Sequence, residues 1–124
     1  MWHTVVVVPA LKPVVWIADS LRALKSFPST VQDEVGYALV LAQRGDKHIA
    51  AKPLTGLGPG VLEVVSDYRG DTFRAVYTVR LARRVFVLHA FQKKSKHGIA
   101  TPQADVELIR RRLRRAVEIS DAKG

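Results

Sequence analysis

An imidazole, three guanidinium groups and a run of ammonium groups lie close together in the second half of this chain. His89 sits in the apolar run VFVLHAFQ, and Gln92-Lys93-Lys94-Ser95-Lys96-His97 follows directly. Arg69, Arg74 and Arg80 punctuate the preceding stretch, DYRGDTFRAVYTVR. An imidazole has an unperturbed pKa of about 6.5, so it can take or give a proton near neutrality. Cations beside it can stabilise developing negative charge or hold a polyanion. A histidine satisfied by packing and one hydrogen bond is the plainer reading of the same residue.

Whether these groups meet depends on the strands that carry them. Two apolar runs flank Gly70-Asp71, and glycine at the first position of a two-residue loop suits a type II′ hairpin. That turn pairs Arg69 with Thr72, Tyr68 with Phe73 and Asp67 with Arg74. Alternation then puts Leu62, Val64, Tyr68, Phe73, Ala75, Tyr77 and Val79 on a core face. A second turn near Ala82-Arg83 places His89 opposite Val76 and Phe91 opposite Arg74. The other face therefore gathers Arg69, Arg74, Thr78, Arg80, His89 and Phe91, and it reads as open to water or a ligand. Val65, Val76, Val85 and Val87 fall on that same face, so part of it must be covered unless the register differs.

The remaining elements follow from periodicity and caps. Val14 to Ile17 reads as a first core strand. Asp19-Ser20 starts a short helix, and Ser26-Phe27-Pro28 ends it. Ser29 opens a second helix with Gln32 as its capping-box partner, and Val31, Val35, Ala38, Leu39 and Ala42 share one face. Gly45 stands where a C-terminal glycine cap belongs. Asp46 to Gly60 reads as a connection, and its glycines do not form a phosphate-binding loop, because a strand rather than a Lys-Ser or Lys-Thr helix start follows. His48 and Lys52 near it read as solvated. Thr101-Pro102 starts the last helix, with threonine as cap and proline at the first helical position. Its apolar stripe is Val106, Ile109, Leu113, Ala116 and Val117, and Arg110, Arg111, Arg112, Arg114 and Arg115 crowd the rest. The predicted class is α+β: a small antiparallel sheet with an N-terminal α-hairpin on one face and a C-terminal helix.

Composition narrows the function. At 124 residues the chain is long enough for one core and too short for two. Residues 1–12 read as an extension and residues 13–124 as a single domain. Net charge is +9, and it is uneven: residues 52–124 hold fifteen Lys/Arg against seven Asp/Glu. Such a surface favours nucleic acid or an acidic protein. There is no cysteine, and no apolar run suffices to span a bilayer, so a cytoplasmic protein without membrane association is expected. No cofactor is expected, and no cluster has convincing metal-ligand spacing.

With these residues in view, the chain resembles the HigB-like, phage-derived branch of the RelE/ParE type II toxin superfamily. The resemblance runs from about Pro13 to Glu118. It is carried by Lys52-Pro53-Leu54, by Tyr68-Arg69-Gly70-Asp71 spaced to Arg74-Ala75-Val76-Tyr77, by His89-Ala90-Phe91-Gln92-Lys93-Lys94-Ser95, and by the Phe-Pro break between the first helices. It implies a RelE-like fold and a toxin that cuts mRNA on the translating ribosome. It also implies a cognate antitoxin with a helix-turn-helix domain, which would supply most of the contact with operator DNA.

Cleavage through the 2′-hydroxyl without a metal needs a base, cations for the phosphorane-like transition state, and stabilisation of the leaving 5′-oxygen. Arg74, His89, Lys93 and Lys94 are the catalytic candidates. Lys52, Arg69, Arg80, Phe91 and Lys96 are the RNA-binding candidates, with Phe91 available to stack on a base. His97 is a secondary acid–base candidate, and Tyr77, on the core face, ranks below Arg74. Two other readings stay open: a ParE-like inhibitor of DNA gyrase, and a non-catalytic nucleic-acid-binding phage accessory protein.

Overall fold

The computed structural model describes residues 11–81, 83–93 and 101–123. Lys94, Lys96 and His97, most of the N-terminal extension, and Ala82 of the second turn lie outside the described residues.

The chain runs β1 (Val14–Trp16), α1 (Ser20–Lys25), α2 (Ser29–Gln43), β2 (Ala51–Pro53), β3 (Val61–Tyr68), β4 (Asp71–Thr78), β5 (Val85–Lys93) and α3 (Gln103–Lys123). The sheet order is β1-β5-β4-β3-β2. The expected three-stranded meander forms its centre, and β1 joins β5 in parallel. β2 is an addition to the expected elements. It is three residues long, too short to show alternation, and it pairs along the outer side of β3 as an edge strand, where Pro53 is tolerated.

The helical hairpin packs as its spacing predicts. Val31, Val35, Ala38, Leu39 and Ala42 of α2, with Leu24 and Phe27, bury against Leu62, Val64, Phe73, Ala75 and Tyr77. Gly45, at φ +85°, closes α2. Its N–H donates to the Ala42 carbonyl at 3.0 Å and that of Asp46 to Leu41 at 2.7 Å, the paired bonds of a Schellman cap. The start of α2 differs from expectation. Pro28 is the cap residue, and the Gln32 amide donates to the Phe27 and Lys25 carbonyls, so it fastens α2 to the end of α1 rather than boxing Ser29.

Two corrections in the sheet decide what faces the site. The first is the hairpin: Tyr68 pairs with Asp71, so the loop is Arg69-Gly70. Both residues have positive φ, 51° and 85°, which is the type I′ geometry rather than type II′. The pairing is thereby displaced by two residues along β3. An even displacement keeps every side chain on its face, where a one-residue slip would have inverted them. Arg74 loses Asp67 as its cross-strand neighbour and gains Val65.

The second correction is a β-bulge. Val76 pairs with His89, as expected, but Tyr77 pairs with Val87, leaving Leu88 as an extra residue in β5. Val85 and Val87 therefore join the core beneath the helical hairpin, while Leu88 and His89 turn together toward the opposite face. That face is not open. Ile109, Leu113 and Ala116 of α3 cover it, packing on Val76, Phe86 and Leu88. The sheet is thus covered on both sides, and Val76, Val85 and Val87, which had no place on a solvated face, are accounted for.

Candidate functional site

Cross-strand register builds the site in three rows on the α3 side of the sheet. One row runs Lys52, Glu63, Val76, His89. The next holds Val65, Arg74 and Phe91, and the last Asp67, Thr72 and Lys93. Residues two apart on a strand share a face, so Glu63, Arg74, His89, Phe91 and Lys93 converge.

The cluster is buried. Arg74 is 6% exposed, Lys93 8%, Glu63 8% and His89 9%. Arg74 donates to Glu63 at 2.8 Å, and the Thr101 hydroxyl donates to the second Glu63 oxygen at 2.9 Å. Arg74 also reaches the Thr101 hydroxyl at 3.4 Å. Charges out of water are tolerable because they are paired and hydrogen-bonded; removing one partner alone is costly. Asp67, the expected cross-strand partner of Arg74, instead accepts from the Thr72 hydroxyl at 2.8 Å.

His89 is held on three sides. Its Nε2 lies 2.8 Å from the Asp105 carboxylate, and its Nδ1 lies 3.5 Å from Nη1 of Arg112. Phe91 stacks on the ring at 4.7 Å with planes 19° apart. A guanidinium can only donate, so this arrangement makes Nδ1 the accepting nitrogen and directs Nε2–H to Asp105. Arg112 further donates to the carbonyl of Leu88, the bulge residue, at 2.9 Å and to Asp19 at 2.7 Å. This hydrogen bond and the guanidinium charge hold the Asp19 carboxyl below its ordinary value.

Four of the expected site residues, Arg74, His89, Phe91 and Lys93, are thus brought together, and exposed Lys52 flanks them beside Glu63. Two are not. Arg69 sits in the hairpin turn with its guanidinium 5.1 Å above the Tyr68 ring. Arg80 lies past the opposite end of β4, its Nη1 3.4 Å from the Leu57 carbonyl. The single open basic face is replaced by a covered cluster and separate outlying cations.

Sequence reading missed Thr101, Asp105 and Arg112 as contributors. Asp105 and Arg112 are seven residues apart, two helical turns, and so share the face of Ile109. That spacing was visible, but five arginines in six positions hid which one turns inward. Thr101 was read as a helix cap; its hydroxyl goes to Glu63, and the Val106 N–H bonds the Pro102 carbonyl instead. Among the described residues no group of three or more histidine, aspartate or glutamate side chains is arranged to hold a metal.

Chemically, the cluster pairs a carboxylate-oriented imidazole with a buried guanidinium and an ammonium. Its fold is shared with a double-arginine mutant of the Escherichia coli toxin RelE in the free state. That structure superposes with a TM-score of 0.54 at 21% identity, over 85% of this chain and 97% of the other. No curated protein matches the sequence significantly. The family model for phage-derived protein Gp49-like (DUF891) matches residues 22–114, most of the chain. The protein therefore belongs to the phage-derived Gp49-like family, on the RelE fold that its sequence resembles.

Proposed function

We propose that this protein is the toxin of a type II toxin–antitoxin pair and that it cuts mRNA on the translating ribosome. The observation that supports this most is the convergence of Arg74, His89, Phe91 and Lys93 on one face of β4 and β5. In this reading the RNA 2′-hydroxyl takes the place of Arg112, 3.5 Å away, as the donor to Nδ1 of His89. Asp105 stays on Nε2–H, fixes the tautomer and stabilises the imidazolium that forms. Nδ1 takes the proton, the 2′-oxygen attacks phosphorus, and the bond to the 5′-oxygen breaks. The products are a 2′,3′-cyclic phosphate and a 5′-hydroxyl, the latter protonated by Lys93 or Lys94.

Arg74 exchanges part of its Glu63 contact for the scissile phosphate, and its planar fork suits that role. Phe91 stacks on a base, and Lys52 holds a flanking phosphate. The ribosome supplies the positioning that so small a protein lacks. A cognate helix-turn-helix antitoxin neutralises the toxin in the cytoplasm and carries the operator contact; no membrane takes part. Among the described residues no helix is long and apolar enough to cross one.

Primer extension on cellular messages after brief induction without antitoxin tests this. New 5′ ends confined to translated regions and in step with the reading frame are expected. Growth arrest with intact messages would remove the nuclease function and leave inhibition of gyrase as the next assay. Asp105→Asn should slow cleavage in a translation extract by roughly 100-fold, the lower range for general-base catalysis, and displace the pH profile of the rate. Thermal melting of the same variant distinguishes a lost base from a lost fold.

A further inference from the structure

The glycine-rich loop before β3 has a structural task that its lack of a phosphate-loop pattern left unassigned. Gly58 and Gly60 have φ of +86° and +78°, and a Cβ on them would come within 2.7 Å and 2.5 Å of the Arg80 side chain. At Gly60 the obstruction includes the Arg80 backbone, 3.1 Å away, so the neighbour cannot simply swing aside. The loop is a cradle that fixes Arg80 in place.

Arg80 so held forms one wall of a groove of about 300 Å³ against the C-terminal half of α3. Among the described residues Arg110 and Arg114 form the rest of the cationic rim, Leu113 and Val117 the aliphatic lining, and Glu118 the one carboxylate. Among the described residues neither Arg80 nor Arg114 has a carboxylate partner, and Glu118 is 3.6 Å from Arg115. Three guanidinium groups around an aliphatic floor are complementary to a ligand that presents carboxylates beside an aliphatic side chain. Among the described residues the groove offers no aromatic ring on which a base could stack, which single-stranded nucleic-acid sites usually supply.

We infer that this groove docks an acidic protein segment, with a leucine- or isoleucine-like side chain seated on Leu113 and Val117 and carboxylates on Arg80, Arg110 and Arg114. Arg80 of the groove lies past the Thr78 end of β4, whereas Arg74 and Lys93 lie toward its Asp71 end, so an occupant sits away from Arg74 and Lys93. The inference goes beyond the nuclease reading and does not depend on it.

The test uses the full chain, isotopically labelled, and a synthetic amphipathic peptide of about 15 residues with leucines at helical spacing and glutamates elsewhere. Amide shifts should map to α3 and to the Gly58–Arg80 contact, and fluorescence anisotropy should give a saturable isotherm. Arg114→Glu, an exposed charge reversal, should weaken binding by roughly tenfold or more, and Arg80→Gln should also weaken it. Replacing the peptide leucines with serine at equal charge should cost a similar factor. Equal affinity for the leucine and serine peptides would overturn the inference, as would binding that Arg114→Glu leaves unchanged. A single-stranded RNA of the same charge that takes the same amides more tightly would overturn it in favour of nucleic acid. No arm reads RNA cleavage, so its failure and that of the nuclease reading are separable.

Discussion

The Tyr77 hydroxyl is buried in the layer beneath the helical hairpin with no hydrogen-bond partner among the described residues. Burial pushes its pKa from 10.0 up to about 12. An unmade hydrogen bond of this kind costs roughly 1–3 kcal/mol. Phenylalanine keeps the ring and drops the cost, so Tyr77→Phe should stabilise the fold by about 1 kcal/mol in urea titration with an unchanged slope. The pH dependence has a definite sign. A folded pKa above the unfolded one means that the protonated phenol's contribution is complete below pH 10 and is lost as pH rises through about 12. That rise corresponds to roughly 3 kcal/mol at most. Wild type should therefore lose stability across that window more steeply than Tyr77→Phe; parallel curves would show that the phenol ionises as readily in the folded chain as in the unfolded one.

At the scale of elements, α2 carries a glycine that its own packing does not require. A Cβ on Gly36 would meet nothing within 4 Å, and the residue is in the helix interior. Gly36→Ala removes backbone entropy from the unfolded chain at no steric cost. It should raise stability by about 0.5–1 kcal/mol, read as a higher melting temperature. Gly45 at the end of the same helix is the converse: its φ of +85° is the left-handed turn on which the Schellman cap depends. The Gly45 cap and the apolar face of α2 were legible because a C-terminal glycine and a 3.6-residue period are local. β2 was not, since Ala51-Lys52-Pro53 has no pattern of its own and becomes a strand only where β3 offers an edge. The Leu88 bulge was equally hidden. Alternation through VFVLHAF fits a regular strand, and the extra residue is set by what packs on each face: Val87 under the hairpin, Leu88 and His89 toward α3.

For the molecule as a whole, Arg112 is the joint. One guanidinium ties α3 to the bulge carbonyl and to Asp19, 93 residues away at the start of α1. The Asp19 carboxyl is held below its ordinary 3.8 by that bond first and by the guanidinium charge second. A depressed carboxyl contributes stability that is present above its unfolded value and is lost as pH falls through its folded value. Asp19→Asn should therefore melt lower than wild type near neutrality, and the gap should close on acidification below about pH 4. A gap that persists in acid would mean that the tie acts through geometry rather than charge. The sequence by itself determined the helical hairpin, the central meander, the family, and the pairings of His89 with Val76 and Phe91 with Arg74. Those depend on period, turn residues and even displacements, which neighbours in the chain carry. Only the tertiary structure decided that α3 closes over the basic face, that Glu63 rather than Asp67 meets Arg74, and that Asp105 and Arg112 grip His89. Each of those contacts joins residues 11 to 23 positions apart across elements, where competition for buried area and for buried charge partners, not local pattern, selects the outcome.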